Sequence, residues 1–296
     1  MCPACFATVA WIAAGTASTG GLVAYFIRKF RRKPAAINRV ERSVSEEEWL
    51  RARKSLLAKE KAHTRQRDEL SRLRRELPWV KVDKNYVFES TKGRETLSEL
   101  FGSCSQLVVY HFMFAPDWEA GCPSCSFLAD GFDGAAVHLA HRDVALVAVS
   151  RAPLSKIEAF KKRMGWQFKW VSSFGNDFNH DYHVTFTKEE IAKGKVNYNF
   201  ESVEFPVEEA PGLSVFYKDE RGDIYHTYSS YARGGEPLIA AYHFLDLVPK
   251  GRDEGGLAFS MAWVRHHDRY DEGYSVDPTA LYSPPRKTDL QPSKGA

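Results

Sequence analysis

The continuous run at residues 107–114 (LVVYHFMF), closed by Ala115, Pro116 and Asp117 and followed by Cys122-Pro123-Ser124-Cys125, constrains this chain more than any other feature. Its β-branched and aromatic residues have the length of a strand buried on both faces. Pro123 suits the first turn of a helix, where its missing N–H would have no partner anyway. The cysteine pair therefore opens a helix, expected over 122–141, directly after a central strand. A helix N-terminus lowers a thiol pKa from ~8.5 toward neutrality through its unpaired amides, and the thiolate is the nucleophile of disulfide exchange. Cys122 is placed to attack, and Cys125, one turn further, to resolve the mixed disulfide.

Around this unit strand and helix patterns alternate, so residues 79–250 read as one α/β domain. Edge strands are expected at 86–88 and 94–97, about Lys92 and Gly93. A second buried strand at 144–150 and a helix at 154–164, with Ile157, Phe160 and Met164 on one face, imply a right-handed parallel crossover. A short strand follows at 168–172, and the lysine-rich stretch 188–199 reads as an insertion. Strands at 213–218 and 223–229 flank a turn at 219–222 and form a hairpin, after which 237–247 supplies a closing helix. The glycines and prolines of 251–296 mark a partly disordered extension with an apolar patch around Trp263.

Two segments precede the domain. Residues 6–27 run for 22 positions without a charged side chain, enough for a helix at ~1.5 Å per residue to cross a ~30 Å hydrocarbon core. Cations follow the run (Arg28, Lys29, Arg31, Arg32, Lys33) and none precedes it, the reverse of a cleavable signal peptide. Residues 1–33 are thus read as a single-pass anchor with a basic flank, and the positive-inside bias puts the main domain in the cytoplasm. After a linker at 34–44, Ser45 and Glu48 form a capping box opening a charged helix over 45–78 that Pro78 closes. Trp49, Leu56, His63, Leu70 and Leu77 recur every seven residues, but Lys59 and Gln66 stand where a coiled coil needs apolar groups. The stripe is expected to pack on the following domain, with a homodimer as the alternative.

Composition excludes one partner class. With 41 basic and 38 acidic residues the net charge is +3, too slight for a nucleic-acid surface, which needs concentrated uncompensated cations. The five cysteines (Cys2, Cys5, Cys104, Cys122, Cys125) are too few and too clustered for a disulfide-stapled secreted scaffold. No motif implies a cofactor.

The motifs FMFAPDWEAGCPSCSFLAD, VALVAVSRAPLSKIEAFKKRMGW, APGLSVFYKD and MAWVRHHDRY resemble those of an uncharacterised bacterial thioredoxin-like family, a domain of unknown function related to thioredoxins and peroxiredoxins. The resemblance runs from residue 44 to about 270 and implies a thioredoxin-like (peroxiredoxin-like) α/β fold; the family has no settled activity. It also implies that Pro211 is the cis-proline that faces the active cysteines in such folds, and that Arg151, ending the second strand, adds positive potential beside the thiolate. Asp117 and Trp118 precede the cysteines with a spacing unlike the usual one. The threonine that peroxidases carry three residues before the attacking cysteine is replaced by Glu119, and a carboxylate there raises a thiol pKa.

The resulting reading is a membrane-anchored thiol–disulfide oxidoreductase acting on a protein or small-molecule thiol or disulfide. Two alternatives stay open. One is a metal protein: zinc would use Cys122, Cys125, His138 and His141, one residue short of the usual histidine gap, whereas copper would join the pair to His180, His183 or His226. The other is a non-catalytic interaction module whose groove is lined by Trp166, Phe168, Trp170, Phe174, Phe178 and Tyr182. His266 and His267 read as surface groups, and Cys104 as a small buried hydrophobe.

Overall fold

The computed structural model describes residues 43–257 and 259–270. The run 6–27, expected to cross a membrane, lies outside the described residues, as do Cys2 and Cys5. Among the described residues no helix is long and apolar enough for a crossing.

Ser45 caps α1 (Glu46–Arg75) with the expected capping box, its hydroxyl accepting from the Glu48 N–H. The expected packing of this helix on the domain does not occur. None of its residues is buried, and Trp49, Leu56 and Leu70 are 57%, 51% and 53% exposed. One apolar residue per two turns makes a stripe narrower than the face of ~100° by which a helix docks on a core. The helix touches the domain at its end, where the Arg74 guanidinium lies 5.6 Å from the Tyr228 ring centroid.

The domain continues through β1 (Val80–Lys81), β2 (Val87–Ser90), β3 (Gly93–Thr96), α2 (Leu97–Leu100) and β4 (Gln106–His111). Next come α3 (Pro123–Ala129), α4 (Phe132–Ala140), β5 (Val144–Ser150), α5 (Leu154–Arg163), β6 (Lys169–Ser172), α6 (Phe178–Asp181) and α7 (Lys188–Ala192). A small hairpin of β7 (Val196–Tyr198) and β8 (Glu201–Val203) precedes β9 (Gly212–Lys218), β10 (Ile224–Tyr231), a 3-10 helix (Ala232–Leu238) and α8 (Ala240–Leu247). One eight-stranded sheet has the order β1-β10-β9-β4-β5-β6-β2-β3. Strands β4, β5 and β6 are parallel, and β9 runs antiparallel to both β4 and β10. Its centre is thus a parallel β4-α-β5 crossover joined to the antiparallel β9-β10 hairpin, with β4 and β9 adjacent.

Alternation along β4 sorts its side chains between two cores. Tyr110 joins the cluster that holds both cysteines with Phe112, Phe160, Trp166 and Trp170, whereas Leu107 and Val109 join Phe88, Phe178 and Phe216 on the opposite face. The single helix expected over 122–141 is in fact two. Asp130 ends the first because its carboxylate accepts from the Trp166 indole at 2.9 Å and from His267 at 2.7 Å, and Gly131 caps the second. The stretch 188–199 is not a loose insertion: α7 and β7 close a third cluster with Val184, Phe186, Phe205 and Tyr231.

A polar chain crosses the sheet away from the cysteines. His111 Nε2 meets Ser214 Oγ at 2.9 Å, Ser214 meets Ser229 Oγ at 2.9 Å, and Ser229 meets His226 Nε2 at 2.8 Å. His111 is buried beside the rings of Phe178 and Tyr182, and its Nδ1 has no hydrogen-bond partner. Burial, with His226 nearby, pushes its imidazole down to about 3, so His111 is neutral at physiological pH.

Candidate functional site

The site forms where β4 leaves the sheet. The Phe112 N–H donates to Val149 O at 2.9 Å and Ala152 N–H to Phe114 O at 2.8 Å, so the chain stays zipped to β5 past the end of the strand. Lys156 then holds the turn by donating to the carbonyls of Pro116 and Trp118, each at 3.0 Å. Gly121 follows at a point of close approach. A Cβ there would lie 2.6 Å from Phe112 Cε1 and 2.9 Å from Phe160 Cε1, so the aromatic core admits only glycine without a shift. The Cys122 N–H returns to Met113 O at 3.0 Å, and the helix starts.

Cys122 is the N-cap of α3, with Pro123 at the first helical position. Because Pro123 has no N–H, the Ser124 and Cys125 amides are the first N–H groups of the helix after the cap, at its positive end. Neither cysteine is in a disulfide; each residue is 2% exposed, and both line a cleft of about 850 Å³. The Tyr110 hydroxyl neighbours Cys125. Burial, followed by the two neighbouring cysteines, holds that phenol well above its ordinary pKa, so it remains a neutral O–H able to donate to sulfur. This contact escaped the sequence reading, because alternation shows which face Tyr110 takes and not where its hydroxyl ends.

Pro211 lines the same cleft, but the Ala210–Pro211 bond is trans; no cis peptide occurs among the described residues. The trans chain has its hydrogen bonds satisfied, from Ala210 N–H to Val184 O at 2.9 Å and from Tyr198 O–H to Pro211 O at 2.8 Å. Arg151 is also placed differently from expectation. It does not line the cleft, and pairs at 3.1 Å with Glu209, whose side chain is 1% exposed. A buried carboxyl draws the nearest cation, since leaving it alone costs several kcal/mol. Burial raises the Glu209 carboxyl to about 8, with Arg151 and the Thr185 hydroxyl offsetting part of the rise. Asp117 and Glu119 are exposed, so neither is the buried carboxylate such sites carry.

The metal readings lose their geometry. Among the described residues no group of three or more His, Cys, Asp or Glu side chains could hold an ion. His138 and His141 are exposed, His180 pairs with Glu190 at 3.4 Å, and His226 belongs to the serine chain on the other side of the sheet. Of the aromatic run proposed to line a groove, Trp166, Phe168, Trp170, Phe178 and Tyr182 are core, and Phe174 is exposed.

Residues 259–270 form a strap over α3 that the sequence did not reveal. Arg163 donates to His266 Nδ1 at 2.7 Å, and since arginine only donates, His266 Nε2 carries the proton and gives it to Gly121 O at 2.8 Å. Burial keeps the His266 imidazole below its ordinary pKa, consistent with that neutral form. His267 reaches Asp130 at the other end of α3, and Asp130 raises its pKa. Glu254 accepts from Tyr242 O–H at 2.6 Å, Trp263 Nε1 at 2.7 Å and Met261 N–H at 3.0 Å, and so shapes the strap where it borders the cleft.

A parallel strand-helix-strand unit joined to an antiparallel hairpin, with a Cys-x-x-Cys at the start of the first crossover helix, defines a protein of the thioredoxin-like class. The chain belongs to the bacterial family described as a protein of unknown function, DUF899, whose sequence profile matches residues 39–270. No curated protein matches the chain. Among solved structures it is similar to peroxidoxin BcpB from Mycobacterium tuberculosis, at 14% identity and a TM-score of 0.37 over 55% of this chain and 94% of that one. Peroxiredoxin Q of Xanthomonas campestris gives 14% and 0.34 over 53% and 90%. The mitochondrial 2-Cys peroxiredoxin of Plasmodium falciparum covers 57% and 92% at a TM-score of 0.34. Likenesses this distant say nothing of activity, and the fold assignment rests on strand order and direction.

Proposed function

We propose that the protein is a thiol–disulfide oxidoreductase acting through Cys122 and Cys125, held at a membrane by residues 6–27 with its domain on the cytoplasmic side. The observation that carries the redox reading is Cys122 at the N-cap of α3, on the wall of a cleft that also reaches Cys125. The Cys122 thiolate attacks one sulfur of a substrate disulfide; a Cys122–S bond forms, the substrate S–S bond breaks, and the departing thiolate takes a proton from water. Cys125, deprotonated in turn, attacks the Cys122 sulfur, releases the second substrate thiol and closes the Cys122–Cys125 disulfide. Two electrons have passed to the substrate, and an external dithiol returns them to the pair.

Iodoacetamide labelling followed peptide by peptide tests this. Cys122 is expected to alkylate with a pH midpoint of about 6 to 7.5, against ~8.5 for free cysteine. A Cys122 profile indistinguishable from free cysteine would remove the enzyme while leaving the fold. The anchor is supported by the uncharged run and the cations after it. A C-terminal tag is expected to resist protease added to intact spheroplasts, and digestion of the tag would reverse the orientation.

A further inference from the structure

We infer that the substrate of this cleft is a small, uncharged, largely apolar disulfide, and not a disulfide carried on a folded protein or a charged peptide; this rests on the oxidoreductase reading above. Three observations carry it. The first is access. Disulfide exchange is an in-line attack, so sulfur must meet sulfur at contact distance, yet each cysteine residue is only 2% exposed. The reach to Cys122 and Cys125 is through the cleft, walled by the β7-β8 hairpin, the 3-10 helix and the strap. A folded protein cannot insert a disulfide there without displacing these walls.

The second is size. About 850 Å³ lies within the ~300–1,000 Å³ typical of sites that enclose one small molecule. The third is the lining. Tyr110, Tyr198, Phe205, Tyr242, Met113 and Met261 present rings and thioethers toward the space, surfaces that accept apolar groups and adapt to their shape. The cations of the lining are already paired: Arg252 holds Glu236 and Asp246, each at 2.7 Å, and Arg233 holds Glu236 at 2.9 Å, while Glu201, Glu204 and Glu254, whose Oε1 takes the three donors described above, add only negative charge. A substrate bearing carboxylates would have to break one of these pairs or stay unpaired beside the lining carboxylates, and either disfavours it.

The test uses the full-length Cys125→Ser protein, reduced and desalted in detergent, so that attack by Cys122 stops at the mixed disulfide and is read as added mass on that peptide. Dibenzyl disulfide, oxidised glutathione and insulin are compared at equal concentration. Dibenzyl disulfide is expected to load Cys122 at least about tenfold faster than either of the others, the scale on which a closed pocket discriminates by fit and polarity. Val203→Trp, a change at a half-buried hairpin position that lines the cleft, is expected to slow that loading by about fivefold or more with the far-UV spectrum and cooperative unfolding retained. Glutathione or insulin reacting as fast as dibenzyl disulfide, or no effect of Val203→Trp, would overturn the inference and leave the oxidoreductase reading standing. No adduct from any of the three, with Cys122 still labelled by iodoacetamide, would sink the underlying reading and the inference with it.

Discussion

Cys122→Ser is expected to lower disulfide reduction on the order of 10³-fold or more, because a serine hydroxyl stays protonated at neutral pH and cannot replace the thiolate. Cys125→Ser should instead complete the first exchange and stall with substrate bound to Cys122. The two variants therefore fail at different steps, although both residues line one cleft and are equally buried. The difference comes from position: Cys122 caps α3, whereas Cys125 lies inside the helix with the Tyr110 hydroxyl beside it. When Cys125 is a thiolate, that hydroxyl donates to a charged acceptor buried from water, which stabilises it more than a neutral hydrogen bond would. Tyr110→Phe should thus slow release of the mixed disulfide by about tenfold, or ~1.4 kcal/mol, and leave the first attack unchanged. A merely structural role would slow both exchanges. Wild-type turnover in Cys122→Ser would refute the assignment of the attacking sulfur, and an equal slowing of the two steps would reduce Tyr110 to a packing residue.

What the sequence disclosed and what it hid divide along physical lines. The strand expected at 144–150 is β5 to the residue, because a strand buried on both faces is a continuous apolar run with sharp ends. The β9-β10 hairpin was equally legible, since Asp219 and Gly222 make the turn with local contacts. The helix opening at Cys122 was written in Cys-Pro. Its early end was not, because Asp130 owes its role to Trp166, 36 positions away, and to His267, 137 away. Arg151 shows the same limit: a cation at a strand end looks available until Glu209 arrives from a distant segment and takes it. The strap at 259–270 has neither helix nor strand, so no periodicity could announce it, although its histidines hold both ends of the cysteine helix. Stripe width was the misjudged quantity in α1, where a regular heptad spacing suggested docking and single residues per heptad could not deliver it.

Protonation of His111 should work against the folded state in mild acid. In the native state its imidazole is pushed down to about 3 by burial and by His226, whereas in an unfolded chain it titrates at ~6.5. Its folded pKa is thus the lower one, and below pH ~6.5 the unfolded state binds a proton that the folded state refuses. The contribution of His111 is complete above that value and falls as pH drops toward 3. A gap of this size corresponds to about 3 kcal/mol lost by pH 4 from His111 alone, a large share of the ~5–15 kcal/mol that holds a typical domain folded. His226 and His266, both lowered by burial, act in the same direction, whereas His267, raised by Asp130, and Glu209, raised to about 8 by burial, act oppositely. The local structure gives an incoming proton no partner: His111 Nε2 already meets Ser214, and Nδ1 is buried without a hydrogen-bond partner. His111→Phe removes the titrating group and keeps a ring beside Phe178 and Tyr182, and Ser214 retains its bond to Ser229. Urea midpoints measured between pH 7 and pH 4 should therefore fall further in the wild type than in His111→Phe, because the opposing carboxyl of Glu209 is common to both. Parallel declines in the two proteins would show that the proton goes elsewhere, and the acid sensitivity would have to be sought at His226 or in the strap.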